Sequence, residues 1–169
     1  MSYRNVIGTA VCVVLLGMGL TWAFVSMRAV LDVGGSCASG STPYQISTPC
    51  PGGSWLIGVG IPVMLIAAMA GSAFATGLKA PNLLVPMWAV LFTSLGFNFL
   101  QYGIRDGEWG FTVPGVLFEV MALPAWWVMG SSLVTTLRTK RSDLSWWGMY
   151  VGLGACGAFV GLAVYAAAS

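Results

Sequence analysis

The sequence predicts an all-α integral membrane protein, a five-transmembrane-helix bundle with one disulfide-closed extracytoplasmic loop. Charged residues make up only 7% of the 169-residue chain and hydrophobic residues 57%, whereas about a quarter of a soluble domain is charged. Several apolar stretches reach the length of about 20 residues that crosses a bilayer. The one long polar run, residues 34–54, holds two of the four cysteines. These observations predict a single transmembrane domain over residues 1–169.

The composition argues against several classes of function. The chain has no histidine, which is the commonest metal ligand and the commonest general base. Its cysteines form no CxxC pair, so neither a zinc site nor a thioredoxin-like redox motif is expected. The sequence has no basic patch with interleaved aromatic residues, the pattern that would indicate nucleic-acid binding. We therefore predict no catalytic residue, no metal and no cofactor, with the lipid bilayer as the immediate partner.

Five predicted spans follow one another along the chain. The first could instead be a cleaved signal peptide, but the apolar region of such a peptide is only about 7–15 residues and precedes a small-residue cleavage site. Here the apolar run is longer and ends at Met27 and Arg28, so an uncleaved helix is expected. The helix could continue one or two turns beyond the bilayer through Arg28 and Asp32, which are expected to lie on its solvated end. The predicted spans are residues 6–27, 55–78, 82–104, 112–137 and 146–168.

The orientation follows from the basic residues. Arg4, Lys79 and the cluster at 138–141 fall on one side of a five-span threading, while the charges on the other side nearly cancel. The excess of Lys and Arg in cytoplasmic loops then places the N-terminus in the cytoplasm and the C-terminus outside. The predicted loop 33–54 lies outside as well, which is the oxidising side where disulfides persist.

Cys37 and Cys50 are the candidate disulfide. They lie in a glycine- and proline-rich loop, and closing a loop of this length stabilises the fold by about 3 kcal/mol in the chain-entropy model. The alternative is a redox-active pair, as in quinone-linked membrane thiol oxidoreductases, which carry a second closely spaced pair. Cys12 and Cys156 stand alone in separate apolar segments, so we expect both to be small buried packing residues.

A polar cluster is predicted within the membrane. Residues three and four apart on a helix share one face, so the polar residues in the outer half of the third span lie together. Glu119 lies at a similar depth on the fourth span. Asn98 and Glu119 could therefore meet. An intramembrane acid suggests a proton, cation or ligand site; a hydrogen-bonded cluster joining the third and fourth helices is the alternative. The candidate residues are Asn98, Gln101, Tyr102, Arg105 and Glu119.

Two glycine pairs with GxxxG spacing lie in the fifth span, Gly148/Gly152 and Gly157/Gly161. Such pairs let two helices approach closely. The partner helix could belong to the same chain, to a second copy or to another membrane protein, and the pattern does not distinguish these.

The loop text CASGSTPYQISTPCPGG, residues 37–53, precedes an apolar segment that begins with Trp55. This arrangement, with a composition rich in Gly and Ala and poor in Lys, resembles that of uncharacterised polytopic membrane proteins of high-GC Gram-positive bacteria. The resemblance implies a polytopic plan and carries over no activity and no functional residue. We expect a multi-pass protein of the bacterial plasma membrane.

Three functions are compatible with these features. The first is a non-enzymatic accessory or scaffold protein that associates with itself or with a larger membrane complex. The second is a small transporter or channel that uses the polar intramembrane residues. The third is a membrane thiol-disulfide oxidoreductase, for which the second cysteine pair is missing.

Overall fold

The computed structural model describes residues 2–37, 48–139 and 141–169. Within them the chain forms five helices, each long and apolar enough to cross a membrane. The predicted all-α class and the five membrane-length helices are therefore confirmed for this part of the chain, while residues 38–47 of the predicted loop lie outside it. The helices are α1 (Tyr3–Asp32), α2 (Leu56–Thr76), α3 (Leu84–Asp106), α4 (Trp109–Thr139) and α5 (Arg141–Ala168).

Helix α1 continues beyond the predicted membrane span, which ended at residue 27, through Arg28 to Asp32, as the sequence allowed. It stops after Asp32 because Gly34 and Gly35 adopt positive φ angles of 97° and 81°, a conformation that glycine reaches without steric cost. The Gly35 N–H then donates to the carbonyl of Val30 at 3.0 Å. As a result the charged residues after position 27 extend the helix instead of leaving it.

Helices α3 and α4 form an antiparallel pair. Their connection is shorter than predicted, because Gly107 adopts a φ of 70° at the end of α3 and the Glu108 N–H donates to the carbonyl of Gly103 at 3.0 Å. Aromatic rings fill the interface between the two helices. The ring centroids of Phe99 and Phe118 lie 5.6 Å apart, within the range of favourable aromatic pairs.

Helix α1 is the centre of the bundle and packs against α2, α5 and α3, whereas α4 packs mainly on α3 and touches α5 little. Small residues bring α1 and α2 together. A Cβ atom on Gly71 of α2 would lie 2.8 Å from the Cβ atom of Cys12, and one on Gly60 would lie 3.2 Å from the carbonyl oxygen of Gly19. Close backbone approach of this kind is how apolar helices associate without water.

The other face of α1 packs against α5, again through glycines that allow close backbone contact. A Cβ atom on Gly157 would overlap the carbonyl oxygen of Val14, and one on Gly17 would overlap that of Gly154. The buried indole N–H of Trp22 donates to the carbonyl of Gly161 at 3.0 Å. Glycine at these positions is therefore a requirement of the α1–α5 interface.

The helices alternate between two ends of the bundle, as a five-span threading requires. At one end Asn5 packs against Gly77. At the other, the Ser26 hydroxyl donates to the carbonyl of Gly53 at 3.4 Å, and Gly52 packs against the C-terminal Ser169. The loop that follows α1 and the C-terminus thus lie at the same end.

Candidate functional site

The predicted disulfide is present. Cys37 and Cys50 are joined, with their Cα atoms 4.9 Å apart. The chain after Cys50 is anchored to two helices, because the carbonyl of Gly53 accepts the bond from Ser26 of α1 and the carbonyl of Gly52 accepts one from the Tyr165 hydroxyl of α5 at 3.4 Å. The bridge therefore closes a loop whose base is held on the bundle.

The remaining two cysteines differ from each other. Cys12 is buried in the core cluster of α1, as expected. Cys156 is exposed on α5, so the prediction that it is a buried packing residue is wrong. The reason is that the face of α1 on which α5 packs is filled by glycines, and Cys156 lies on the opposite side of its helix.

The polar residues of α3 face α1. The side-chain amide of Asn98, which is fully buried, donates to the carbonyl of Phe24 at 3.1 Å. The oxygen of Gln101 accepts a hydrogen bond from the guanidinium of Arg28 at 3.1 Å. Hence the cluster joins the first and third helices, and not the third and fourth as the sequence suggested.

The end of α1 takes part in the same contacts. The Tyr102 hydroxyl donates to the carboxylate of Asp32, one turn beyond the bond between Arg28 and Gln101. Asp32 is exposed and Arg28 is half-buried, as a solvated helix end requires, and both also hold α3 against α1. The sequence signal was the charge pair itself, but nothing in the spacing showed that its partners were on α3.

Arg105 is directed away from Glu119. Its guanidinium lies 4.6 Å from the ring centroid of Tyr102, and its Nε is 2.8 Å from the carboxylate of Asp106. Both partners of this ion pair are well exposed, so the pair contributes little to stability. Arg105 therefore does not neutralise Glu119.

Glu119 packs on the backbone of α3. A Cβ atom on Gly96 would lie only 2.7 Å from the Glu119 carboxylate oxygen, so the glycine makes room for this side chain. Across residues 2–37, 48–139 and 141–169, the structure shows no hydrogen bond between Glu119 and Asn98, nor any other to the Glu119 carboxylate. The expected meeting of the two residues is not observed, because Asn98 turns to α1.

A cavity that the sequence did not indicate lies on one side of the bundle. Its volume is about 560 Å³, and its walls come from α1, α3, α4 and α5. It exists because α4 packs on α3 while α5 packs on α1, which leaves a gap between α4 and α5. The hydroxyls of its wall are already bonded within the protein: Thr21 to Gly17, Ser94 to Leu91 and Tyr150 to Pro81.

One polar group on the cavity wall is unpaired. The indole nitrogen of Trp147 is buried and has no hydrogen-bond partner among the described residues, and Trp147 lines the cavity. A buried N–H without an acceptor is costly, so the site has one unused donor. The opposite wall carries Trp126, whose indole N–H donates to the hydroxyl of Thr93 at 2.8 Å.

The two glycine pairs of α5 have different surroundings. Gly157 and Gly161 both press against the α1 backbone, whereas a Cβ atom on Gly148 or Gly152 would meet nothing within 4 Å. Cys156, one further turn along the helix, is also exposed. We call Gly148, Gly152 and Cys156 the outer glycine face of α5.

The described residues hold no group of three or more His, Cys, Asp or Glu placed to bind a metal ion. No protein-family model, curated protein or solved structure matches the chain. Function must therefore be inferred from the helix surfaces, the loop and the cavity.

Proposed function

We propose that this chain is a non-enzymatic, multi-pass protein of the bacterial plasma membrane that acts as an accessory or scaffold subunit. It associates with a second copy, or with another membrane protein, through the outer glycine face of α5. The disulfide-closed loop is presented on the extracytoplasmic side.

The outer surface of the bundle supports insertion into a bilayer. Large apolar side chains point outward on several helices, among them Ile66 at 67% exposure, Trp127 at 80% and Phe159 at 74%. Soluble proteins rarely expose continuous apolar surface of this kind, whereas lipid tails accept it. Arg4, Lys79 and Arg138 lie at the end opposite the disulfide, which supports an N-terminus in the cytoplasm.

The observation that carries the proposal is the open outer glycine face. Helices in lipid associate through small residues that permit backbone contact, since there is no hydrophobic drive between them. Within this chain, Gly157 and Gly161 of α5 make such backbone contacts with α1. Gly148 and Gly152 offer the same spacing on a surface that no part of the described chain covers.

Cys156 allows a direct test. It lies on the outer glycine face, whereas Cys12 is buried and Cys37 and Cys50 are bonded to each other. Mild oxidation of membranes should therefore cross-link two copies through Cys156, and Cys156→Ser should abolish the product. Gly152→Leu should reduce the cross-linked dimer at least tenfold by keeping the helices apart.

Gly130→Leu on α4 is the matched control, since a Cβ atom there also meets nothing within 4 Å; it should leave the dimer unchanged. If Cys156 forms no dimer, pull-down in mild detergent should recover a partner that Gly152→Leu releases. A chain that neither cross-links nor retains any such partner is not a scaffold of this kind.

A small transporter or channel is the second candidate, favoured by the Glu119 carboxylate on a membrane-length helix. A charged acid without a partner is expensive there and is often functional. In reconstituted vesicles Glu119→Gln should then abolish a proton- or cation-dependent flux. Under the scaffold proposal the same change leaves association through α5 intact, so the two measurements separate the candidates.

A further inference from the structure

The cavity between α4 and α5 lies within the membrane-length part of the bundle. Along α3 its wall runs from Leu83 to Ser94, a distance of about 16 Å at 1.5 Å per residue. Along α5 it runs from Trp147 to Ala158. It therefore extends from the end that carries the α2–α3 turn towards the middle of the bundle.

The size of the cavity restricts what can occupy it. With about 30 Å³ for a group the size of a water molecule or a methylene, a cavity of about 560 Å³ holds roughly 19 such groups. That number matches one hydrocarbon chain.

The wall is suited to hydrocarbon. It is formed by side chains such as Leu16, Leu20 and Val90 together with the bare backbone of Gly154. The hydroxyls of the wall are satisfied by the protein and offer no free group to a polar ligand. An occupant that reaches this depth must come from the apolar part of the bilayer.

Two exposed cations lie at the end of the bundle where the cavity begins. The Tyr150 hydroxyl, on the cavity wall, donates to the carbonyl of Pro81 at 2.9 Å, two residues after the exposed cation Lys79. Arg138, also exposed, lies at the same end near the C-terminus of α4. The unpaired indole N–H of Trp147 lies on the sixth residue after Arg141, where α5 begins. The two cations complement the phosphate of an anionic lipid.

We propose that the cavity binds one acyl chain of an anionic phospholipid from the leaflet at the Lys79 and Arg138 end. The chain fills the space between α4 and α5, and the two cations select a negative headgroup. This rests on the membrane insertion proposed above, but it does not depend on association through the outer glycine face.

Gly154→Leu is the decisive variant. Gly154 lines the cavity and a Cβ atom there meets nothing within 4 Å, so a leucine side chain can begin at the cavity wall without a clash at Cβ and should reduce the free volume. Gly152→Leu is its matched control: the same substitution on the same helix, with equal free space, outside the cavity wall. The two variants also separate this proposal from the scaffold function.

The full chain is reconstituted in phosphatidylcholine nanodiscs containing a minor fraction of phosphatidylglycerol, and retained phospholipid is counted by native mass spectrometry. We expect one phospholipid for each chain, enriched in phosphatidylglycerol. Gly154→Leu should lower its occupancy at least tenfold while leaving the Cys156 cross-link intact, and Gly152→Leu should do the reverse. Lys79→Ser combined with Arg138→Ser should keep one lipid and lose the preference for phosphatidylglycerol.

If Gly154→Leu unfolds, Val151→Trp replaces it, because Val151 is on the cavity wall and 71% exposed. The proposal is overturned if the wild type retains no lipid, or if folded cavity variants retain as much as Gly152→Leu. It is also overturned if filling the cavity abolishes a dimer without altering bound lipid, since the occupant would then be a second copy.

Discussion

The two glycine pairs of α5 share one spacing, one helix and one apolar context, yet they have opposite surroundings. Gly157 and Gly161 lie in contact with the backbone of α1, while Gly148 and Gly152 face open space. The difference arises because only one side of α5 packs against α1. A GxxxG pair therefore shows that another helix can pack closely at that position. The arrangement of the neighbouring helices decides whether that helix belongs to this chain or to another molecule.

The largest expected effect comes from blocking the inner pair. Gly157→Leu would drive a side chain into the carbonyl of Val14, so α1 and α5 must separate, and overpacking of this severity costs about 3 kcal/mol or more. Denaturation in mixed detergent micelles measures the free energy of unfolding. Gly148→Leu is the control and should stay within about 0.5 kcal/mol of the wild type; equal losses in both variants would remove the distinction between the pairs.

The two lone cysteines sharpen the comparison between the inner and outer surfaces. Cys12→Ser buries a hydroxyl in the core of α1 and should cost about 1–3 kcal/mol. Cys156→Ser, on the exposed face of α5, should change the free energy of unfolding by less than about 0.5 kcal/mol. Comparable losses in the two variants, measured by the same denaturation assay, would contradict the difference in burial between the two cysteines.

The smallest effect is expected at the hydrogen bond between Trp22 and Gly161. Trp22→Phe removes the donor but keeps an aromatic ring, and interhelical hydrogen bonds in membrane proteins contribute about 0.6 kcal/mol on average. The free energy of unfolding should therefore fall by roughly that amount. Trp55→Phe, at an exposed tryptophan outside the α1–α5 interface, serves as the reference. A much larger loss at Trp22 would assign it a packing role beyond the bond.

Hydropathy was a reliable guide to the helices but not to their ends. The spans were predicted in number and order because an apolar stretch of membrane length has few alternatives. The ends differed by up to five residues: α5 begins at Arg141 and not at 146, and α4 begins at Trp109 and not at 112. The ends of α1 and α3 are followed by glycines with positive φ. Gly35 and Gly107 set these limits through backbone conformation, which hydropathy does not measure.

The candidate polar site was predicted only in part. The helical period correctly placed Asn98, Gln101 and Tyr102 together on α3, because spacing alone sets which residues share a face. Their partners could not be predicted, since Arg28 and Asp32 lie on α1, more than sixty residues away in sequence. Glu119 was expected to join them from the next helix, but it packs against Gly96.

By itself the sequence determined the class of the fold, the five apolar helices and the pairing of Cys37 with Cys50, because length, apolarity and the nearness of two cysteines in one polar loop are local properties. Only the tertiary structure decided which face of each helix is covered. That choice depends on the relative rotation and tilt of helices that are far apart in sequence. It places α1 at the centre, opens the cavity beside Gly154 and leaves Gly148 and Gly152 uncovered.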